Sequence, residues 1–248
     1  MLRIDARGLH YRELNHLVRQ AVAGGESDIL LDHVNGQRYI GDALKGQVQI
    51  RIQGTPGEDL AAFMDGPTIR VEGNAQDAVA NTMNSGKVVI TGQAGDVLGY
   101  AMRGGKLYVG GDAGYRIGIH MKSYRSQVPV IVIGGRVADF LGEYMAGGVL
   151  IVLGMGKEEE SPDRPLAGEY LGVGMHGGAI YLRGRVNPHQ IGKEIAPTEL
   201  TEADHRLLRA ELTGFCQDEG WDLEKVLEVP FLKLVPLSLR PYGGHYSY

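Results

Sequence analysis

The chain has 248 residues, with 25 Lys and Arg against 30 Asp and Glu and a formal net charge of −5. This charge argues against a general binder of nucleic acid or of an anionic membrane, which needs clustered basic residues. The single cysteine, Cys216, excludes an internal disulfide framework and a cysteine-ligated zinc or iron–sulfur site within the chain. No apolar run approaches the length of a membrane helix and no signal-peptide core is present, so we expect a cytoplasmic protein.

Residues 1–43 are predicted to form a small α/β cap. A strand begins at Ile4, and a helix from Tyr11 to Ala23 carries its apolar residues on one face. A second strand, 29–34, ends in the Asn35–Gly36 turn. Such a cap covers the open end of a repetitive fold.

A repeat of nineteen residues extends over 44–186. Six of the eight methionines are separated by 19, 19, 19, 24 and 30 positions, and the two longer spacings are the same unit with an insertion. An aliphatic residue stands four positions before each of these methionines, and alanine or glycine stands three positions before. The repeat positions are Met64, Met83, Met102, Met121, Met145 and Met175, with Gly99, Gly118, Gly142 and Gly172 among the small residues.

Each unit contains one β-rich run of strand length. One strand in nineteen residues leaves no room for a crossover helix, but it suffices for one coil of a solenoid whose strands stack ~4.8 Å apart. The sequence therefore predicts an all-β, right-handed parallel β-helix of about seven coils. The aliphatic residues and methionines would fill its interior, and the alanine or glycine would mark the point where the wall turns.

Residues 187–248 are predicted to form a helical cap and a tail, in one structural unit with the β-helix. Thr201 and Asp204 have the spacing of a capping box at the start of a helix. The tail is rich in aromatic residues, which are frequent among the residues that carry interface energy. We predict that it contacts a partner, and a tail folded back on its own β-helix is the alternative. The predicted contact residues are Arg240, Tyr242, His245, Tyr246 and Tyr248.

Three patterns have a structural interpretation that we favour over a functional one. The segment 172–177 matches G-x-G-x-x-G but precedes a strand instead of opening a helix, so we expect no dinucleotide there. His120 and His176 flank methionines on opposite sides and have no partner at metal spacing. An acidic column could suggest calcium, although an aspartate in a turn usually bonds its own backbone. Its members are Glu58, Asp77, Asp96, Asp139 and Glu169. We therefore predict no catalytic, cofactor or metal site in this chain.

Several segments resemble the "GXGXG" β-helix domain at the C-terminus of the glutamate synthase large subunit. They are residues 73–77, 81–84, 95–105, 115–121 and 140–148. The opening 35–41 and the ending Arg240-Pro-Tyr-Gly resemble stand-alone versions, in which each domain of the enzyme is a separate polypeptide.

The resemblance implies that the chain is a non-catalytic scaffold. Enzymes of that family make glutamate from glutamine and 2-oxoglutarate, using a cysteine amidotransferase part and a synthase part with FMN and an iron–sulfur cluster. The chain would be an obligate subunit that holds these two partners together, with both cofactors bound by the partners. One alternative is the related β-helix subunit of formylmethanofuran dehydrogenase, a tungsten or molybdenum enzyme. A scaffold of another redox complex is a second alternative, and a homo-oligomer is left open.

Overall fold

The computed structural model describes residues 1–155 and 165–239, and one sheet of eleven strands organises them. The strands are β1 (Leu2–Asp5), β2 (Asp28–Asn35), β3 (Gln49–Thr55), β4 (Asp65–Glu72), β5 (Ser85–Ile90), β6 (Lys106–Val109), β7 (Val130–Ile133), β8 (Ala146–Val152), β9 (Gly177–Arg183), β10 (Ile195–Thr198) and β11 (Phe231–Pro236). The helices are α1 (Tyr11–Ala23), α2 (Glu202–Glu219) and α3 (Leu223–Leu227), with a 3₁₀ turn at Pro188–Gln190.

The fold is a β-solenoid of about six turns, and the predicted all-β, parallel architecture is confirmed. Strands β1 to β9 lie side by side in chain order and each pairs in parallel with the next. The number of turns is slightly below the seven predicted, because the elements at the two ends of the sheet are not coils of the repeat. Helix α1 connects β1 to β2, and β9 is followed in the sheet by the antiparallel strand β11.

The nineteen-residue repeat sets the register of the sheet. Ile50 pairs with Ile69 and Val88 pairs with Leu107, so one inward row continues from coil to coil. Every member of this row is at most 1% exposed. The row consists of Ile50, Ile69, Val88, Leu107, Ile131, Leu150 and Ile180. Stacked aliphatic side chains therefore fill the interior along its whole length, and the burial of this apolar surface is the main stabilising contribution.

The outer face of the sheet is covered by α2 and α3 from β5 to β9. Phe215 and Leu212 of α2 pack in one cluster with outward residues such as Val132 and Ile151. Because both faces are buried there, β7 reads as a continuous apolar run without alternation. The helix predicted after Thr201 is present, but it lies along the sheet and not at its end.

The two ends of the solenoid are closed differently. Helix α1 has the predicted bounds and places Leu14 and Val18 in the core, whereas Leu17, predicted on the same face, is 38% exposed. At the other end, the antiparallel pair β10 and β11 completes the sheet. Within the described residues, no helix combines the length and the apolar character needed to cross a membrane.

Candidate partner interface

The wall opposite the sheet is built by the turn that precedes each methionine. In the coil that ends at Met121, Arg116, Gly118 and His120 have φ of +57°, +73° and +55°. Their N–H groups donate alternately to the next and to the previous coil, at Asp139, Leu98 and Glu143 respectively. This alternation places Ile117 and Met121 in the core and leaves Arg116 and His120 exposed.

Three aromatic side chains from successive coils are in contact on the outside of this wall. The rings of His120 and Tyr144 are stacked, with centroids 5.3 Å apart and an interplanar angle of 12°. Tyr100 meets His120 edge-on at 5.8 Å and is 39% exposed. Such ring pairs have favourable geometry, so the three side chains form an ordered surface ladder.

A second aromatic pair lies beside the first ladder. Phe140 and Tyr170 are stacked at 4.9 Å, and the guanidinium of Arg116 lies 4.5 Å from the centroid of the Phe140 ring. Arg116 also donates a hydrogen bond of 3.0 Å to Glu143, the neighbour of Tyr144. The Arg116–Glu143 pair therefore joins the two groups into one surface, which we call the aromatic patch. It comprises Tyr100, Arg116, His120, Phe140, Glu143, Tyr144 and Tyr170.

The repeat residues singled out in the sequence lie inside this wall. The six methionines are at most 2% exposed and belong to one core cluster. The glycines three positions before them all have φ between +62° and +73°. At Gly118 an added Cβ would lie 2.8 Å from a methyl carbon of Leu150. Both the backbone conformation and the neighbouring strand therefore require a small residue at this position.

The three aspartates of the acidic column accept hydrogen bonds between coils, whereas Glu58 and Glu169 lie near Arg38 and His189. Oδ1 of Asp77 accepts from the backbone N–H of Asp96 at 2.8 Å, and Oδ1 of Asp96 accepts from that of Tyr115 at 2.8 Å. Asp139 bonds the N–H of Glu169 in the same way at 2.9 Å. The expected bond to the residue's own turn is replaced by a bond to the next coil, because stacking brings that N–H within reach. These carboxylates stabilise the stack.

The other candidate residues that the structure describes are not arranged as a catalytic or binding site. The segment Gly172–Gly177 forms the turn before β9 and does not open a helix. His176 lies 3.2 Å from the carbonyl of Gly174. Cys216 lies on the buried face of α2, where burial and the charge of Asp222 raise the pKa of its thiol. In the parts of the chain that are described, no three His, Cys, Asp or Glu residues meet at metal-binding distance.

The tail residues predicted to contact a partner, Arg240 to Tyr248, lie outside the described residues, and so does 156–164. The aromatic patch was missed from the sequence. Its members stand five, two or one positions before the methionines, where earlier coils carry residues such as Ala78 and Ala101. The available signal was that adjacent coils carry aromatic residues at these positions, which stacking brings together.

The fold and this surface define a class: a β-solenoid whose repeated residues fill the interior and whose outward side chains offer a contact surface. The chain belongs to the GXGXG motif family, whose family model matches residues 28–234. The predicted resemblance to the C-terminal domain of the glutamate synthase large subunit is thereby confirmed.

Two further comparisons are informative about length and fold. An uncharacterised protein of Methanocaldococcus jannaschii is 45% identical over 253 residues, which cover 98% of this chain and 95% of that protein. A chain in the X-ray structure of the formyltransferase/hydrolase complex (FhcABCD) from Methylorubrum extorquens, in complex with methylofuran, superposes with a TM-score of 0.65. That match has 20% identity and covers 94% of this chain and 89% of the other, so it shows a shared fold.

Proposed function

We propose that the chain is a non-catalytic β-helix subunit of a multi-subunit enzyme complex and that it holds partner subunits in a fixed arrangement. The observation that carries this proposal is the aromatic patch, an ordered exposed surface on the wall opposite the sheet. The continuous hydrogen-bonded sheet behind it gives partners a rigid support. Membership of the GXGXG family and the structural likeness to a chain of an enzyme complex support the same function.

Two kinds of complex are candidates. In a glutamate synthase, the partners would be an amidotransferase and a synthase subunit with FMN and an iron–sulfur cluster. In a formylmethanofuran dehydrogenase or a related complex of one-carbon metabolism, the partners would include a tungsten or molybdenum subunit. The family match supports both candidates, whereas the neighbour from a formyltransferase/hydrolase complex favours the second.

Native purification separates the two candidates. The chain would be tagged at its N-terminus, isolated from its own host, and its stoichiometric companions identified by mass spectrometry. We expect companions that include a formyl-transfer, tungsten or molybdenum subunit; an amidotransferase with an FMN-domain protein would establish the glutamate synthase candidate instead. Recovery of the chain with no enzyme subunit, at a protein concentration near that of the cell, would contradict the proposed function.

A second test concerns the isolated chain. Because it has one cysteine, buried at Cys216, it cannot supply the ligands of an iron–sulfur cluster by itself. We expect the chain purified without partners to show no visible absorption from flavin or cluster and no glutaminase activity. Stoichiometric flavin on the isolated chain would show that it contributes directly to the chemistry.

A further inference from the structure

Large side chains stand at backbone positions of the aromatic patch that disfavour them. His120, Phe140, Tyr144 and Tyr170 have φ between +53° and +65°. A bulky L-residue in this region is destabilised by roughly 1–2 kcal/mol relative to an ordinary conformation. The equivalent positions of other coils also have positive φ, with small residues at Ala78 and Ala101 and larger ones at Phe63, Thr82 and Val97.

These aromatic side chains add little to the stability of the core. Their side chains lie outside the core: His120 and Tyr170 are exposed, whereas Phe140 and Tyr144 are half-buried. Because positive φ recurs at these positions in coils outside the patch, the patch is distinguished by its adjacent aromatic side chains and not by its backbone. Aromatic and arginine side chains are also the residues most enriched among those that dominate binding energy at interfaces. These residues therefore form a surface that is suited to a contact outside the fold.

One border of the patch is basic. Arg103 and Lys122 follow Met102 and Met121 in adjacent coils, and both side chains are exposed. The N–H of Lys122 donates to the carbonyl of Met102, so the two residues are one stacking distance apart. Arg125, also exposed, lies over the ring of Tyr124 at 5.1 Å. The structure shows no ion pair of Arg103 or Lys122 with a carboxylate of 1–155 or 165–239.

We infer that the aromatic patch, with its basic border, docks an acidic segment of a partner polypeptide. Aromatic rings offer apolar contact area, and the border attracts carboxylates; the acidic patch residue Glu143 is already neutralised by Arg116. Asp139 and Glu169 precede Phe140 and Tyr170 at the other side of the patch, so the positive charge is confined to the border beside His120, where it attracts a negatively charged segment by complementarity. The few basic residues at this border are not the extended basic surface that a nucleic acid requires. A second copy of this chain is an outcome of the test. The inference rests on the proposed function and adds the site and the chemistry of the partner.

The test uses the native complex and two pairs of matched variants. His120→Ala/Tyr144→Ala removes the stacked rings, and Phe63→Ala is its control, because Phe63 occupies the same position of an earlier coil with φ +56° and 52% exposure. Arg103→Glu/Lys122→Glu reverses the border, and Lys45→Glu is its control, because the exposed Lys45 stands at the equivalent position after Leu44. Binding of each variant to the partner subunit identified by native purification would be measured over a range of salt concentrations.

We expect both patch variants to bind the partner at least ~10-fold more weakly. The controls should stay within about twofold, and added salt should weaken wild-type binding. The melting temperature of the isolated His120→Ala/Tyr144→Ala variant should change little, since alanine already occupies this position at Ala101. Conversely, a patch that serves only the fold would lower the melting temperature and leave binding unchanged.

Other outcomes overturn the inference in distinguishable ways. If the complex forms and the patch variants bind like wild type, the docking surface is elsewhere and the proposed function stands. If the patch variants abolish self-association or binding of a single-stranded RNA oligonucleotide instead, the occupant is a second copy or a nucleic acid. If no enzyme subunit associates with the wild-type chain, the proposed function itself fails.

Discussion

Gly118 meets two constraints of different origin. Its φ of +73° is imposed by the turn, and the methyl groups of Leu150 lie 2.8 and 2.9 Å from the place of a Cβ. Gly8 has the same φ of +73° but has no other atom within 4 Å of that place. A comparison of substitutions at Gly118 and Gly8 therefore separates the effect of backbone strain from that of overpacking.

We predict that Gly118→Leu destabilises the protein more than Gly8→Leu by about 1–3 kcal/mol, the usual effect of overpacking. Both variants share the conformational contribution of a left-handed backbone. Urea denaturation of the two variants and the wild type measures the difference. Equal losses would show that the interior beside Gly118 can rearrange freely and that the small-residue position is a backbone requirement alone.

A second residue-scale prediction concerns the hydrogen bonds between coils. Asp96→Ala removes the acceptor of the Tyr115 N–H bond and should lower the free energy of unfolding by about 1 kcal/mol. Asp96→Asn keeps an oxygen at the same place and should lose less than about 0.5 kcal/mol. Thermal unfolding of both variants is the measurement. If the alanine and asparagine variants melt together, charge and not the hydrogen bond determines the effect.

At the scale of elements, Asp204 joins three of them. Its carboxylate accepts hydrogen bonds from Thr201 at the start of α2, from Tyr181 of β9 at 2.5 Å and from Lys233 of β11 at 2.9 Å. Desolvation by burial raises its pKa, but the hydrogen bonds from Lys233, Thr201 and Tyr181 outweigh this effect and hold the pKa of Asp204 below its ordinary value. Burial also raises the pKa of Tyr181, and the bond to Asp204 adds to that rise.

We predict that Asp204→Asn destabilises the protein by about 3 kcal/mol at pH 7, because it leaves Lys233 buried without its anion. A carboxyl group with a lowered folded-state pKa stabilises fully above its unfolded pKa of about 3.9 and loses that contribution as the pH falls below it. The difference between wild type and variant should therefore shrink between about pH 5 and pH 2. A difference that is constant over this range would assign the effect to packing, and Glu202→Gln, exposed in the same first turn, is the control.

The elements that sequence predicted best are those fixed by local pattern. The methionine repeat predicted one strand in each coil, and the apolar face predicted α1 at its observed bounds, Tyr11–Ala23. The position of α2 was not predictable in this way, because packing against the outer face depends on contacts between distant residues. The hydrogen bond that Asp96 accepts was missed for the same reason, since its donor, the N–H of Tyr115, lies nineteen residues away. The patch could not be predicted from apolar periodicity, because its side chains neither fill the core nor form the turn.

On the scale of the whole molecule, burial is unequal along the sheet. Strand β7 is buried on both faces and has a paired strand on each side. Strand β1 has the same length of four residues, but it pairs only with β2 and alternates between partly buried and exposed residues. A stack in which each coil contacts its neighbours should therefore open from its ends before its centre.

Amide hydrogen exchange followed by mass spectrometry tests this gradient. We predict that the amides of Val130–Ile133 exchange at least about 100-fold more slowly than those of Leu2–Asp5, since the central strand opens only with the global transition and the edge strand by local fraying. The Phe215→Ala variant removes a buried ring of α2 from the outer face of the sheet. It should accelerate exchange in β7 without affecting β1, so the difference between their exchange rates should become smaller. If instead Leu2–Asp5 exchanges as slowly as β7 in the isolated chain, the edge of the sheet is covered in solution, and the solenoid does not open from that end.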